Sequence, residues 1–82
     1  MSIPASSVED SILSLLARRR RGSSICPSEV ARILAPDDWR PLMPSIREAA
    51  DRLVERGAVE VTQKGVQVKA VTARGPIRIR RA

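Results

Sequence analysis

Few residues in this chain are equipped for bond-making chemistry. It has no histidine and a single cysteine, Cys26. Transition-metal sites need clustered Cys and His ligands, so none is expected. A Ser or Cys nucleophile needs a base, most often His, and none is available. Asp37-Asp38 and the pair Asp51 with Glu55 are acids of the type used in proton transfer. Their positions suit a helix cap and a solvated helix face instead. No glycine-rich phosphate loop is present. The expectation is a protein that is not an enzyme, with no catalytic residue, cofactor, metal or small-molecule substrate.

Two single residues carry an alternative each. Cys26 at a helix N-terminus would be a reactive thiol; between Ile25 and Pro27 it reads as a small buried hydrophobe. Trp39 would serve as a base-stacking platform. As the only large ring in the chain it reads as a core anchor.

Charge is the stronger signal. The net charge is +6, and only Lys64 and Lys69 of the 15 basic residues are lysines. Such a balance favours a polyanion, nucleic acid before an acidic protein. Arg18-Arg19-Arg20-Arg21 reads either as a phosphate-binding cluster or as a solvated helix end. Arg74, Arg78, Arg80 and Arg81 carry the same two readings. Alternation with Ile77 and Ile79 puts Arg78 and Arg80 on one face as a basic strip.

These residues need elements to position them, and 82 residues supply one domain. Residues 1–5 are expected as a loose N-terminus. Ser6 with Glu9 fits a capping box. Val8, Ile12, Leu15 and Leu16 then form one helical face, running to about Arg19 with Gly22 as the stop. Ser23-Ser24-Ile25 is a short extended piece. Pro27 opens a second helix, apolar at Val30, Ile33 and Leu34 and ended by Pro36. Residues 37–43 form an irregular turn, capped by Asp37 or Asp38 if it includes a helical turn. A third helix starts near Pro44 and runs to Arg56, with Ile46, Ala49, Ala50, Leu53 and Val54 as its buried stripe and Gly57 as its stop.

The period then changes to two at Val59, Val61, Val66 and Val68, around a Lys64-Gly65 turn. An even loop sets Val61 opposite Val68 and Glu60 opposite Lys69. Residues 74–82 are expected as a last strand or tail. The order of helix, short strand, two helices and a hairpin is that of a winged helix. The fold class is α+β: a three-helix helix-turn-helix core plus a β-hairpin wing, in a single domain over residues 1–82.

The segments Ile25-Cys26-Pro27-Ser28-Glu29-Val30-Ala31-Arg32, Asp38-Trp39-Arg40, Leu42-Met43-Pro44, Val61-Thr62-Gln63-Lys64-Gly65 and Arg74-Gly75-Pro76-Ile77-Arg78 together resemble a bacterial family of short proteins catalogued as a domain of unknown function. The resemblance spans about Val8 to Arg80. It implies a winged-helix-type fold and a bacterial, cytoplasmic protein, and it implies no established activity.

In a DNA-reading helix-turn-helix the third helix would enter the major groove. Here the direction opposite Ile46 falls between Glu48 and Glu55, with Asp51 beside them. Carboxylates repel phosphate, and only a cytosine amino group rewards them in the groove. Arg47 with Asp51 and Glu48 with Arg52 are spaced to pair one turn apart. The middle of this helix is therefore expected to face solvent, and its start, with Arg40, Ser45 and Arg47, is the part open to DNA. Nucleic acid, DNA in the first place, is expected to be held by phosphate contacts from Arg20, Arg21, Arg40, Arg47, Lys64, Arg74 and Arg78, with little sequence preference. The alternative is a protein-interaction module that docks an acidic or mixed-charge partner and has no nucleic-acid role. No stretch approaches the length of a membrane span, so no membrane partner is expected. The apolar run precedes the arginines, unlike a secretory signal, and Glu9 and Asp10 are unlike a transit peptide. A cytoplasmic location is expected.

Overall fold

Val8, Ile12, Leu15 and Leu16 are all buried on one face of α1 (Ala5–Ala17) in the computed structural model, which describes residues 3–82. The loose terminus expected for residues 1–5 falls partly outside the described residues, and Ala5 is already helical. The Ser6 capping box does not form. Pro4 is the N-cap, and its carbonyl accepts from the Ser7 and Val8 N–H groups at 3.0 and 3.2 Å. Glu9 turns instead to two guanidiniums on another helix, a charge-assisted interaction stronger than a neutral cap. The helix stops two residues short of Arg19, with Arg18 as its C-cap.

A turn at Gly22 leads into β1 (Ser24–Ile25) and then α2 (Pro27–Leu34). Pro27 forces Cys26 into extended backbone, φ −92° and ψ 147°. Cys26 and Glu29 form a capping box, in which the Cys26 N–H donates to Glu29 Oε2 at 2.7 Å. The buried side of α2 is Pro27, Val30 and Ala31. Ile33, expected inside, is exposed: one residue is about 100° of helix, which puts it outside the stripe those three define.

A single 3-10 turn, Arg40–Leu42, joins α2 to α3 (Met43–Glu55), and neither Asp37 nor Asp38 caps it. Ile46, Ala49, Ala50 and Leu53 are fully buried. Val54 departs from expectation, exposed at 40%. It lies about 80° round the helix from Ile46, at the margin of the stripe. α3 packs on both α1 and α2 and against β2 (Val59–Gln63).

β2 turns through Lys64-Gly65 into β3 (Val66–Gln67). Both turn residues have positive φ, 52° and 82°, as a two-residue hairpin loop requires. The pairs Thr62 with Gln67 and Gln63 with Val66 give the even register expected, and the Val68 N–H donates to the Val61 carbonyl at 3.1 Å. The last strand, β4 (Arg78–Arg81), is not peripheral. The sheet order is β1-β4-β2-β3, all antiparallel, so the C-terminal strand lies between two earlier ones. Ile79 sits between Ile25 and Val61 in one buried row. Glu60 therefore faces Arg80 rather than Lys69, which follows the end of the short β3.

The result is an α+β domain with three helices on one face of a four-stranded antiparallel sheet, an arrangement compatible with a winged helix. Its described buried side chains are all apolar. None of its described helices is long and apolar enough to cross a membrane.

Candidate nucleic-acid interface

Lys64, Arg74 and Arg78 line one groove between the hairpin and the segment that leads into β4. Val66, Val68, Pro76 and Gln63 complete it. No carboxylate is among these residues. Lys64 belongs to the hairpin turn. Arg74 is set by Gln63, whose Nε2 donates to the Arg74 carbonyl and, at 3.2 Å, to the Pro76 carbonyl. Gly75 has φ 85°, a conformation that suits glycine, at a bend in the chain. Among the described residues neither Lys64 nor Arg74 has an ion-pair partner.

Arg78 is partly committed. Its Nε donates to Ser24 Oγ at 2.8 Å, Nη2 to the Ser24 carbonyl at 2.9 Å, and Nη1 to Cys26 Sγ. It fastens β4 to β1 and still lends its charge to the groove. Arg80 shares its face of the strand, as the alternation predicts, but pairs with Glu60 at 2.8 Å. The expected basic strip is thus neutralised at one of its two positions. Cys26 is half-buried and hydrogen-bonded rather than an inert hydrophobe.

Arg47 has a different occupation. Its Nη1 donates to the carbonyls of Ala70 and Ala73, both at 2.9 Å, and its Nη2 to that of Gly75 at 2.8 Å. Asp51, one turn on, accepts from the N–H groups of Ala70 and Val71 at 2.7 and 3.1 Å. The expected Arg47–Asp51 pair is replaced by a joint grip on residues 70–75. Likewise Arg52 bonds to Glu9 at 2.7 Å, not to Glu48. This segment lies along the Arg47 and Asp51 side of α3. Glu48 and Glu55 remain on the helix, both exposed. The described geometry therefore offers phosphate neither a bare α3 nor a basic one.

The remaining predicted contacts lie elsewhere. Ser24 is level with Arg80 and Arg80 with Glu60, so β1 begins four residues before the turn lysine. Arg20 and Arg21 precede β1, in a turn closed by the Ser23 N–H and the Arg20 carbonyl at 2.9 Å. They lie at the opposite end of the sheet from Lys64. Arg40 stacks on Trp39, with its guanidinium carbon 4.6 Å from the ring centroid. Three of the seven predicted residues are thus brought together.

Gln63 and Ser24, which position Arg74 and Arg78, had no sequence signal of their own, and Asp51, which holds Ala70 and Val71, was expected to pair with Arg47 instead. Their partners are distant in the chain and are backbone atoms or a guanidinium. Among the described residues, no three His, Cys, Asp or Glu side chains are grouped to hold a metal ion.

The chain belongs to the family described as "Protein of unknown function (DUF3253)", which matches residues 5–82. No curated protein matches it.

Proposed function

We propose that this protein binds nucleic acid, duplex DNA in the first place, through phosphate contacts at the wing and with little sequence preference. The observation that carries this reading is the groove framed by Lys64, Arg74 and Arg78, with no acid in its lining and with two of its cations free of ion pairs among the described residues. Point charges beside an apolar floor suit a backbone of phosphates and sugars, which carries no base identity. The acids of α3 and the segment laid beside it disfavour reading of base edges. Lys64 and Arg74 are the phosphate contacts, and Arg78 adds to the field. Arg47 acts by holding the 70–75 segment. Arg20 and Arg21 form a second, remote cluster that a duplex on the wing does not reach. The protein acts in the cytoplasm in this reading.

Two paired variants test it. Removing a charge-assisted hydrogen bond to phosphate costs about 1 kcal/mol or more. In a low-salt anisotropy assay with a labelled duplex, Lys64→Ala/Arg74→Ala should therefore bind roughly tenfold or more weakly. Arg20→Ala/Arg21→Ala should change affinity far less. Equal weakening in both pairs, or weakening only in the second, would move the interface away from the wing.

A further inference from the structure

Trp39 packs against the hydrophobic core and is flanked by two arginines. The guanidinium carbons of Arg32, on α2, and Arg40, in the 3-10 turn, each lie 4.6 Å from its ring centroid. Neither arginine forms an ion pair among the described residues. A guanidinium held over a ring has already given up much of its rotamer freedom. Its N–H edge stays available, in a planar geometry that matches a carboxylate or phosphate. Two cations around one ring concentrate positive charge at this corner, which attracts an anion.

The neighbours decide between the two anions. Asp37 and Asp38 immediately precede the indole and are exposed. A continuous phosphate backbone would run beside two carboxylates here. Ile33, next to Arg32 in the chain, is 51% exposed. Trp and Arg beside an apolar side chain, with charges of both signs around them, is the composition of a protein-binding hot spot.

We propose that the corner between α2 and the 3-10 turn docks a protein segment that lays an Asp or Glu side chain across Arg32 and Arg40 and an aliphatic side chain on Ile33. This surface shares no residue with the lining of the wing groove and stands whether or not the wing binds DNA.

Trp39 is the only aromatic residue of the chain, so its fluorescence reports on this corner alone. The probe is a short blocked peptide of repeating Leu-Glu-Glu, with Leu-Gln-Gln as its control, titrated at low salt and followed in parallel by calorimetry. The acidic peptide should shift Trp39 emission and the control should not. Arg32→Gln/Arg40→Gln should weaken binding roughly tenfold; both side chains are exposed, and circular dichroism checks that the fold is kept. Lys64→Ala/Arg74→Ala should respond as the parent does, which separates this surface from the wing. The proposal is overturned by an equal response to the Gln peptide, by an unweakened arginine variant, by the absence of any response, or by displacement of the peptide with DNA.

Discussion

Arg47 and Asp51 stand one turn apart on α3 and grip the same segment, the guanidinium through its carbonyls and the carboxylate through its N–H groups. Together they fix residues 70–75, and with them the start of the stretch that carries Arg74 into the wing groove. Ala70 is fully buried, so its N–H has no ready substitute for Asp51. Asp51→Ala should cost about 1–3 kcal/mol, the range for a buried donor left unpaired. Urea denaturation gives the size of the effect, and amide exchange should show it concentrated in residues 70–75. Uniform exchange along the chain would contradict a local grip.

Leu53 belongs to the buried stripe of α3 and has no exposed surface. Leu53→Ala should destabilise the domain by about 2–5 kcal/mol. In a domain of this size that approaches the whole stability. An unchanged melting temperature would refute the packing described for α3.

Glu9 links α1 to α3 through Arg52 and Arg56. Its carboxyl is held below the ordinary range, chiefly by the Arg52 hydrogen bond, with both arginine charges and the Arg56 hydrogen bond adding and desolvation opposing. A carboxylate with a depressed folded pKa contributes stability that is full above its unfolded pKa and lost as pH falls through the folded one. Urea midpoints should therefore fall on acidification below the usual carboxylate range. Glu9→Gln should be less stable at neutral pH and should show a flatter acid limb. A variant whose acid limb matches the parent would assign that decline to other groups.

Glu48 and Glu55 bear on how α3 meets DNA. Replacing both by Gln should raise duplex affinity slightly, roughly twofold at low salt and less at higher salt, because repulsion beyond direct contact is screened. Loss of binding in this variant would mean that α3 reads bases after all.

Much of the fold was legible in the residues because it depends on local spacing. The α1 face, the Pro27 start of α2, four of the five α3 positions and the Lys64-Gly65 hairpin register all follow from period and turn chemistry. Ile33 and Val54 departed through helix phase. The departures among the charged residues share another cause, which is that a partner distant in the chain outcompeted a near one. Glu9 left its cap for Arg52 and Arg56, and Arg47 and Asp51 left each other for residues 70–75. Glu60 met Arg80 because β4 enters the middle of the sheet, and nothing in the Ile77-Arg78-Ile79-Arg80 alternation specifies which strands it joins. The candidate site was legible as charge and not as geometry. Composition marks Arg20, Arg21, Arg40 and Arg47 no differently from Lys64, Arg74 and Arg78. Only the tertiary structure separates a cation that faces a groove from one that stacks on Trp39 or holds a loop.

The most direct test of wing binding is the salt dependence of duplex affinity in the parent protein and in Lys64→Ala/Arg74→Ala. Each neutralised phosphate contributes about −0.9 to the slope of log affinity against log salt. With Lys64 and Arg74 contacting the backbone, the parent should show a slope of about −2 on duplexes of unrelated sequence, and the double variant a slope near zero. A slope that is unchanged in the double variant, or a parent that binds no duplex even at low salt, would contradict binding at the wing.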